Sequence, residues 1–295
     1  MRDFHLPGRS GVIAQNGMCA TSHPIAAKVA VDMMESGGNA VDSAIAAALV
    51  LGIAEPAMTG IGGDCFFLVK PAGSEDLIGL NGSGRAPGGL DASALRDAGH
   101  SIMPIYDAAA VSVPGAIDAM LTMAADHGSK EIAEILAPSI HYAEEGIPVA
   151  PRVAFDWADM PSEMSGDAAR YFLHGGKAPK AGDIFRAPGQ AKVLRKIAKE
   201  GRAGFYEGEV AEDMVASLNA LGGTHTLDDF AATKCDYVEP ISGTYRDIEL
   251  VVLCALIWRR KRQSWLMMPV TGLSLTQHRG WITCCLRRPL TIWRH

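Results

Sequence analysis

No aspartate or glutamate follows Glu249, although the 295-residue chain as a whole carries a formal charge of −6. Eight of its 27 Lys and Arg lie between Arg259 and Arg294, which leaves 19 against 33 acids before them, a charge of about −14. The nine histidines include no HExxH pair and the six cysteines no CxxC pair, so the usual zinc-ligand spacings are missing. Cys19, Cys65 and Cys235 stand alone, and Cys254, Cys284 and Cys285 crowd the basic end. That arrangement points to reduced thiols rather than to a disulfide framework. A serine-hydrolase elbow is absent too: around Ser83 the sequence NGSGR puts Asn81 and Arg85 where that pattern needs glycine. Gly60, Gly62 and Gly63 follow a helical pattern and precede an extended one, the reverse of the order that aims backbone amides at a phosphate. A structural turn and a loop lining a pocket both fit them. The longest apolar run, residues 44–54, is too short to span a bilayer. The opening MRDFHLPGRSG has charges and a proline where a secretory leader needs an apolar core, so a cytoplasmic protein is expected. There is no internal repeat and no low-complexity segment.

What is present is globular composition, 48% hydrophobic and 20% charged, on a chain long enough for one large domain or two ordinary ones. Thr21 and Ser22 offer capping hydroxyls ahead of Pro24. Ala26, Val29, Ala30, Met33 and Met34 then recur at helical spacing, which predicts a half-buried helix stopped by Gly37 and Gly38. Asn39 with Asp42 predicts a second, capped helix that has no polar face and must be buried on every side. A strand over 65–69 should pair with one over 77–80, a hairpin ending in the flexible, ligand-sized loop NGSGRAP. Helices are expected from Pro114 to Gly128 and from Pro138 to Gly146, then an irregular connection over 151–190. Further helices follow near 190–200 and 210–221. Thr226 and Asp229 have the spacing of a capping box, and a strand pair turns near Ser242 and Gly243. His23, His141 and His225 read as capping or core-edge residues.

Arg85 is the candidate functional side chain. It sits in a glycine-rich loop at a strand end, with no carboxylate within five residues on either side. A planar guanidinium in that setting can take a substrate carboxylate through two parallel hydrogen bonds, and a solvated surface arginine is the alternative.

The stretch ATSHPIAAKVAVDMMESGGNAVDSAIAAALVLGIAEPAMTGIGGDCFFLV closely resembles the amino-terminal signature of the gamma-glutamyltranspeptidase family. The likeness continues through VPGAIDAM, LAPSIHYAEEGIPV, GFYEGEVAEDMV and GGTHTLDDF, from residue 11 to about 252. The resemblance implies an N-terminal nucleophile hydrolase of the α/β class in its α+β form. Such a precursor cuts itself into a large and a small chain around a four-layer αββα sandwich. The threonine exposed at the start of the small chain attacks an amide carbonyl, its own amino group serves as base, and backbone amides hold the oxyanion. The acyl group then passes to water or an amine. No metal or organic cofactor is implied. The implied partners are a small-molecule amide or γ-glutamyl substrate and the missing small chain, with no nucleic acid and no membrane. For this chain the resemblance marks Arg85 and Ser83 as substrate-binding and Gly62, Gly63 and Asp64 as a pocket loop, with no catalytic residue.

Two departures from the family pattern matter. Relatives that act on glutathione carry an arginine four residues before the Ala-Pro proline, where it grips the glutamyl α-carboxylate. Counted back from Pro87, that position is Ser83 here, and the arginine is Arg85. In an extended backbone the two share a side. The NGSGRAP form resembles the branch that contains oxamate amidohydrolase. The second departure is that the likeness stops at Val252. Relatives later reach the nucleophile in a Thr-x-His pattern followed by Asp. Thr276 and His278 in LTQHRG have no such Asp and come too early.

Residues 253–295 hold four of the five Trp and half of the cysteines, the composition that translation in a wrong reading frame produces. The alternative is a genuine basic tail for nucleic acid or an anionic membrane, with Trp258, Trp265, Trp281 and Trp293 as anchors. The expectation is a gamma-glutamyltranspeptidase-like large-chain domain over 1–252, inactive alone and with open strand edges, then a tail outside the fold over 253–295. A non-catalytic protein with a small-anion pocket and a working basic tail is the competing expectation.

Overall fold

A computed structural model of the chain describes residues 12–104, 107–160, 164, 166–253, 272–277 and 280–286, with Gly166, Asp167 and the last two segments as backbone only. In chain order its elements begin with β1 (Gly17–Ala20), α1 (Pro24–Glu35), α2 (Ala40–Ala54), β2 (Cys65–Lys70) and β3 (Ile78–Gly82). α3 (Ala92–Asp97), α4 (Ala116–His127), α5 (Ile132–Glu145), β4 (Ile147–Pro148), α6 (Pro151–Trp157) and α7 (Gly166–Phe172) follow. Then come β5 (Ile184–Phe185), α8 (Pro188–Glu200), α9 (Ala203–Tyr206), α10 (Gly208–Ala220) and α11 (Leu227–Ala231). β6 (Asp236–Val238), β7 (Ile241–Tyr245), β8 (Ile248–Val252), β9 (Gly272–Gln277) and β10 (Gly280–Leu286) complete the set.

Helix α2 is the axis of the core. All of its 15 residues are buried, as a helix without a polar face requires, and it packs on α1, α4, α5 and the sheet. Asn39 caps it: its Oδ1 accepts from the amides of Val41 and Asp42, while Asp42 Oδ2 accepts from Asn39 N at 2.8 Å. The main sheet runs β1-β9-β10-β2-β3-β6, antiparallel at every pairing. On β2, Cys65, Phe67 and Val69 join the helical core with Leu80 of β3, while the alternate residues Phe66 and Leu68 are buried as well. Burial on both faces marks β2 as an interior strand.

Several expectations are corrected. The cap of α1 is His23, whose Nδ1 accepts from Ile25 N at 3.3 Å, and Ser22 instead donates its hydroxyl to Glu55. Helix α5 starts six residues before Pro138 and runs through it, because Ile135, Leu136, Ser139, Ile140 and Ala143 form one continuous buried stripe that outweighs a missing N–H. Within 151–190, α6 and α7 are each seven residues, too short for a periodic signal, yet α6 plants Trp157 fully buried against Phe185, ring centroids 4.9 Å apart. Ser242 and Gly243 lie inside β7. The turn falls at Arg246 and Asp247, with Arg246 taking φ 57°.

Beyond residue 253, where a tail outside the fold is expected, two backbone segments are described. The backbones of β9 and β10 fill the space between β1 and β2. GLSLTQ and GWITCCL are strand-like runs separated by two residues, and their backbones pair antiparallel. Residues 254–271, 278–279 and 287–295, and with them His278, Trp258, Trp265 and Trp293, lie outside the described residues.

The β7–β8 hairpin forms a sheet of its own. Its register puts Ile241 opposite Val252, Gly243 opposite Leu250 and Tyr245 opposite Ile248, so one face is wholly apolar. Those five large side chains are all more than half exposed.

Candidate functional site

Three glycines build the wall that carries Arg85. Asn81 Oδ1 accepts from Ser83 N at 2.9 Å, an Asx turn that ends β3 and leads the chain away from the sheet. At Gly82 a Cβ would lie 2.3 Å from the Ala119 Cβ, at Gly84 1.6 Å from the Val113 carbonyl oxygen, and at Gly115 2.2 Å from the Gly82 oxygen. Only backbone fits at each. The close approach lets Val113 N donate to Arg85 O at 2.9 Å, while Gly115 N and Ala116 N donate to Gly63 O at 3.1 and 3.0 Å. The first amides of α4 are thus satisfied by the glycine turn. The cluster is therefore a structural turn, with Gly60 close against Gly52 of α2, and it stands beside the Arg85 loop through Gly115. Gly62, Gly63, Asp64 and Ser83 are each half-buried there.

Arg85 has a carboxylate partner that local sequence does not reveal. Its Nη2 lies 3.2 Å from Asp236 Oδ2, with the two side chains 71% and 59% exposed. Asp236 belongs to β6, where it pairs with Asn81. The start of β6 is held by buried polar groups. Asp118, in the first turn of α4, accepts from Cys235 N at 2.7 Å on one oxygen and from Arg202 Nε at 2.7 Å on the other. Arg202 also donates to the carbonyls of Ala231 and Thr233 and lies over the Tyr206 ring, 4.6 Å from its centroid. The Tyr206 hydroxyl donates to Pro114 O and accepts from Asp118 N, and burial pushes its pKa up. Partners 84 and 117 residues apart leave no periodic trace in the sequence, so neither Asp118 nor Arg202 is visible there.

The far limb of the loop meets α11. Gly88 N donates to Asp229 Oδ1 at 2.9 Å, and Gly89 packs on Thr224. The loop expected to be flexible is thus tied at several points. Next to it His225 is buried and its Nε2 donates to Val111 O at 2.8 Å, which leaves Nδ1 as the unprotonated nitrogen with no partner. Burial lowers the pKa of His225, outweighing the Val111 bond and the charge of Asp229, and burial also lowers that of His23. The unfolded chain protonates near pH 6.5 and the folded one only below that, so stability is full above 6.5 and falls as pH drops through that value. In His225→Gln, thermal unfolding measured between pH 7 and 5 should show a shallower acid loss than in the parent chain.

Burial pushes the Cys19 thiol up to about 12 and the Cys235 thiol up to about 11, so neither is a thiolate nucleophile at neutral pH. Cys19, Cys65 and Cys235 are not joined in disulfides. Among the described residues no three His, Cys, Asp or Glu gather as a metal site, and no helix is long and apolar enough to cross a membrane. An open groove between α5 and α8, lined by His141, Glu144 and Arg195, shares no residue with the Arg85 wall.

The sequence profile of gamma-glutamyltranspeptidase matches residues 26–255. The chain belongs to that family. It is 30% identical over 243 residues to a glutathione hydrolase proenzyme of Bacillus subtilis, a match spanning 81% of this chain and 41% of that protein. It is 32% identical over 241 residues to an oxamate amidohydrolase proenzyme of Klebsiella pneumoniae, spanning 79% and 45%. Among solved structures it resembles a cephalosporin acylase from Bacillus halodurans at a TM-score of 0.83 and 28% identity, over 99% of this chain and 70% of that one. The gamma-glutamyltranspeptidase of Helicobacter pylori matches at 0.74 and 27% identity, over 83% and 72%. The fold is that of an N-terminal nucleophile hydrolase, and the chain spans less than half the length of these curated family relatives.

Proposed function

We propose that this chain is the large-chain half of an amidohydrolase that moves an acyl group from a small carboxylate-bearing amide to water or an amine. The observation that carries the reading is the Arg85 wall: a guanidinium presented at a strand end by backbone-only packing and held on one side by Asp236. Arg85 takes the substrate carboxylate, Ser83 lies beside it, and Gly62, Gly63 and Asp64 close the wall. The attacking threonine and the oxyanion donors belong to the polypeptide that follows this region in the family. The likeness to the oxamate amidohydrolase proenzyme, together with Ser83 in the place of the glutathione-type arginine, favours a donor smaller than a γ-glutamyl group. In this reading residues 253–295 come from a displaced reading frame. The other two frames of the encoding DNA past codon 252 should then contain a proline- and glycine-rich stretch and a later Thr-x-His.

Asp236 occupies the guanidinium as a substrate carboxylate would. Titration of the purified chain with oxamate should show binding that Arg85→Ala weakens at least about tenfold, as expected for charge-assisted hydrogen bonds. Asp236→Asn should tighten it by up to about fivefold, the worth of an exposed ion pair. Neither oxamate nor a γ-glutamyl anilide should be turned over. Steady product release, or an Arg85→Ala chain with unchanged oxamate affinity, contradicts the proposal.

A further inference from the structure

The capping box of α11 divides its carboxylate between two tasks. Asp229 Oδ2 accepts from the backbone N–H and the hydroxyl of Thr226 at 2.9 and 2.8 Å, which closes the helix end on itself. Oδ1 accepts instead from Gly88 N at 2.9 Å, a residue 141 positions away. Burial pushes this carboxyl up, but the bonds from Gly88 and Thr226 and the nearby His225 lower it by more, so it stays ionised for both. The helix is itself fixed, because Phe230 is fully buried and the Thr233 hydroxyl donates to Asp229 O at 2.9 Å.

We infer that Asp229 is the positioning residue for Arg85: through Oδ1 it tethers Gly88 and so sets where the guanidinium stands beside the glycine turn. The inference rests on the reading of Arg85 as the carboxylate-binding group. Between Gly88 and Arg85 lie only Ala86 and Pro87, and the proline ring fixes its own φ. The Leu90 N to Pro87 O bond of 3.0 Å tightens the same limb into a turn. So short and stiff a link passes the position of Gly88 on to Arg85. The Val113 N–H also holds the carbonyl of Arg85 itself, and on the N-terminal side Ser83 N is bonded to Asn81 Oδ1 while Gly84 packs against the Val113 carbonyl. The backbone on both sides of Arg85 is thereby pinned while its side chain remains open to solvent, the preorganisation that lets a ligand bind without first ordering the loop.

The test compares Asp229→Ala, which loses both tasks, with Thr226→Val, which weakens the cap but leaves Oδ1 for Gly88. Tryptic cleavage after Arg85, followed by mass spectrometry without ligand, reads the tether directly. Asp229→Ala should speed it by about tenfold, the size expected from losing a hydrogen bond to a charged group. Thr226→Val should change it by less than about twofold even though both variants lower the melting temperature. Cleavage after the exposed Arg152 should be the same in all three proteins. Equal acceleration in the two variants, or none in Asp229→Ala, overturns the inference. The same proteins titrated with oxamate separate it from the reading beneath it. If the parent chain does not bind oxamate, the role of Arg85 falls, while the ligand-free cleavage rates still decide the tether. If it binds, Asp229→Ala should weaken it about tenfold and Thr226→Val should not.

Discussion

Asp118→Ala should destabilise the chain by about 3 kcal/mol or more, lowering the melting temperature by roughly 6–12 °C for a domain of this size. The side chain is 7% exposed and has both oxygens committed, one to Arg202 and one to the amide of Cys235. Truncation leaves a guanidinium that is only 29% exposed without its counter-charge, and an amide at the start of β6 without an acceptor. Asp118→Asn keeps the shape yet should cost nearly as much, since its amide nitrogen would face one of two donors. Removing the charge on both sides tests the cause. Asp118→Leu combined with Arg202→Met should recover part of the loss seen in Asp118→Leu alone, because the unpaired cation is then gone while the Cys235 amide stays unsatisfied. Differential scanning fluorimetry of the four proteins reads the coupling. Strict additivity would show that the pair is no more than two independent contacts. In Asp118→Ala the released β6 also takes Asp236 from its place across from Asn81, so tryptic cleavage after Arg85 should rise as well.

What the sequence shows of this fold is whatever is local. The buried helix α2 with its Asn39 cap, the β2–β3 pairing and the capping box at Thr226 each rest on spacings of a few residues, and each is found as expected. The proline in α5 shows the limit of that reasoning: Pro138 reads as a helix start because it lacks an N–H, and only the stripe on both sides of it shows that burial prevails. Strands β1 and β6 have four and three residues and no alternation to detect, and they exist through their neighbours. The site divides in the same way. Arg85 and the glycine turn are legible from composition, whereas Asp236, Asp118 and Asp229 act on them across gaps that no window covers. The capping spacing at Asp229 was visible, but the task of its second oxygen was not. The apolar face of the β7–β8 hairpin has a similar lesson. A two-stranded sheet with one greasy face is marginal in water, and the alternation that makes this face is local to the hairpin while whatever packs on it is not.

Gly84→Ala is the smallest substitution expected to dismantle the Arg85 wall. The added carbon would lie 1.6 Å from the Val113 carbonyl oxygen and 2.7 Å from its carbon, both backbone atoms, so no rotamer change relieves it. Either the loop moves outward or the Val113–Gly115 segment moves inward. The second route is blocked, because the Gly115 Cα already faces the Gly82 oxygen and its N–H is bonded to Gly63. The loop must therefore lift, which breaks the Val113 N to Arg85 O bond and draws Arg85 from Asp236. Overpacking of this kind costs about 1–3 kcal/mol, or roughly 2–12 °C of melting temperature. The loss of oxamate binding should be larger than the stability change suggests, since the binding group itself is displaced. Gly189→Ala in α8 is the control: nothing lies within 4 Å of the added carbon, and a helical alanine should be neutral or slightly stabilising. Equal melting temperatures for the two variants, with unaltered oxamate affinity in Gly84→Ala, would mean that the loop yields freely and that Arg85 is not held by this packing.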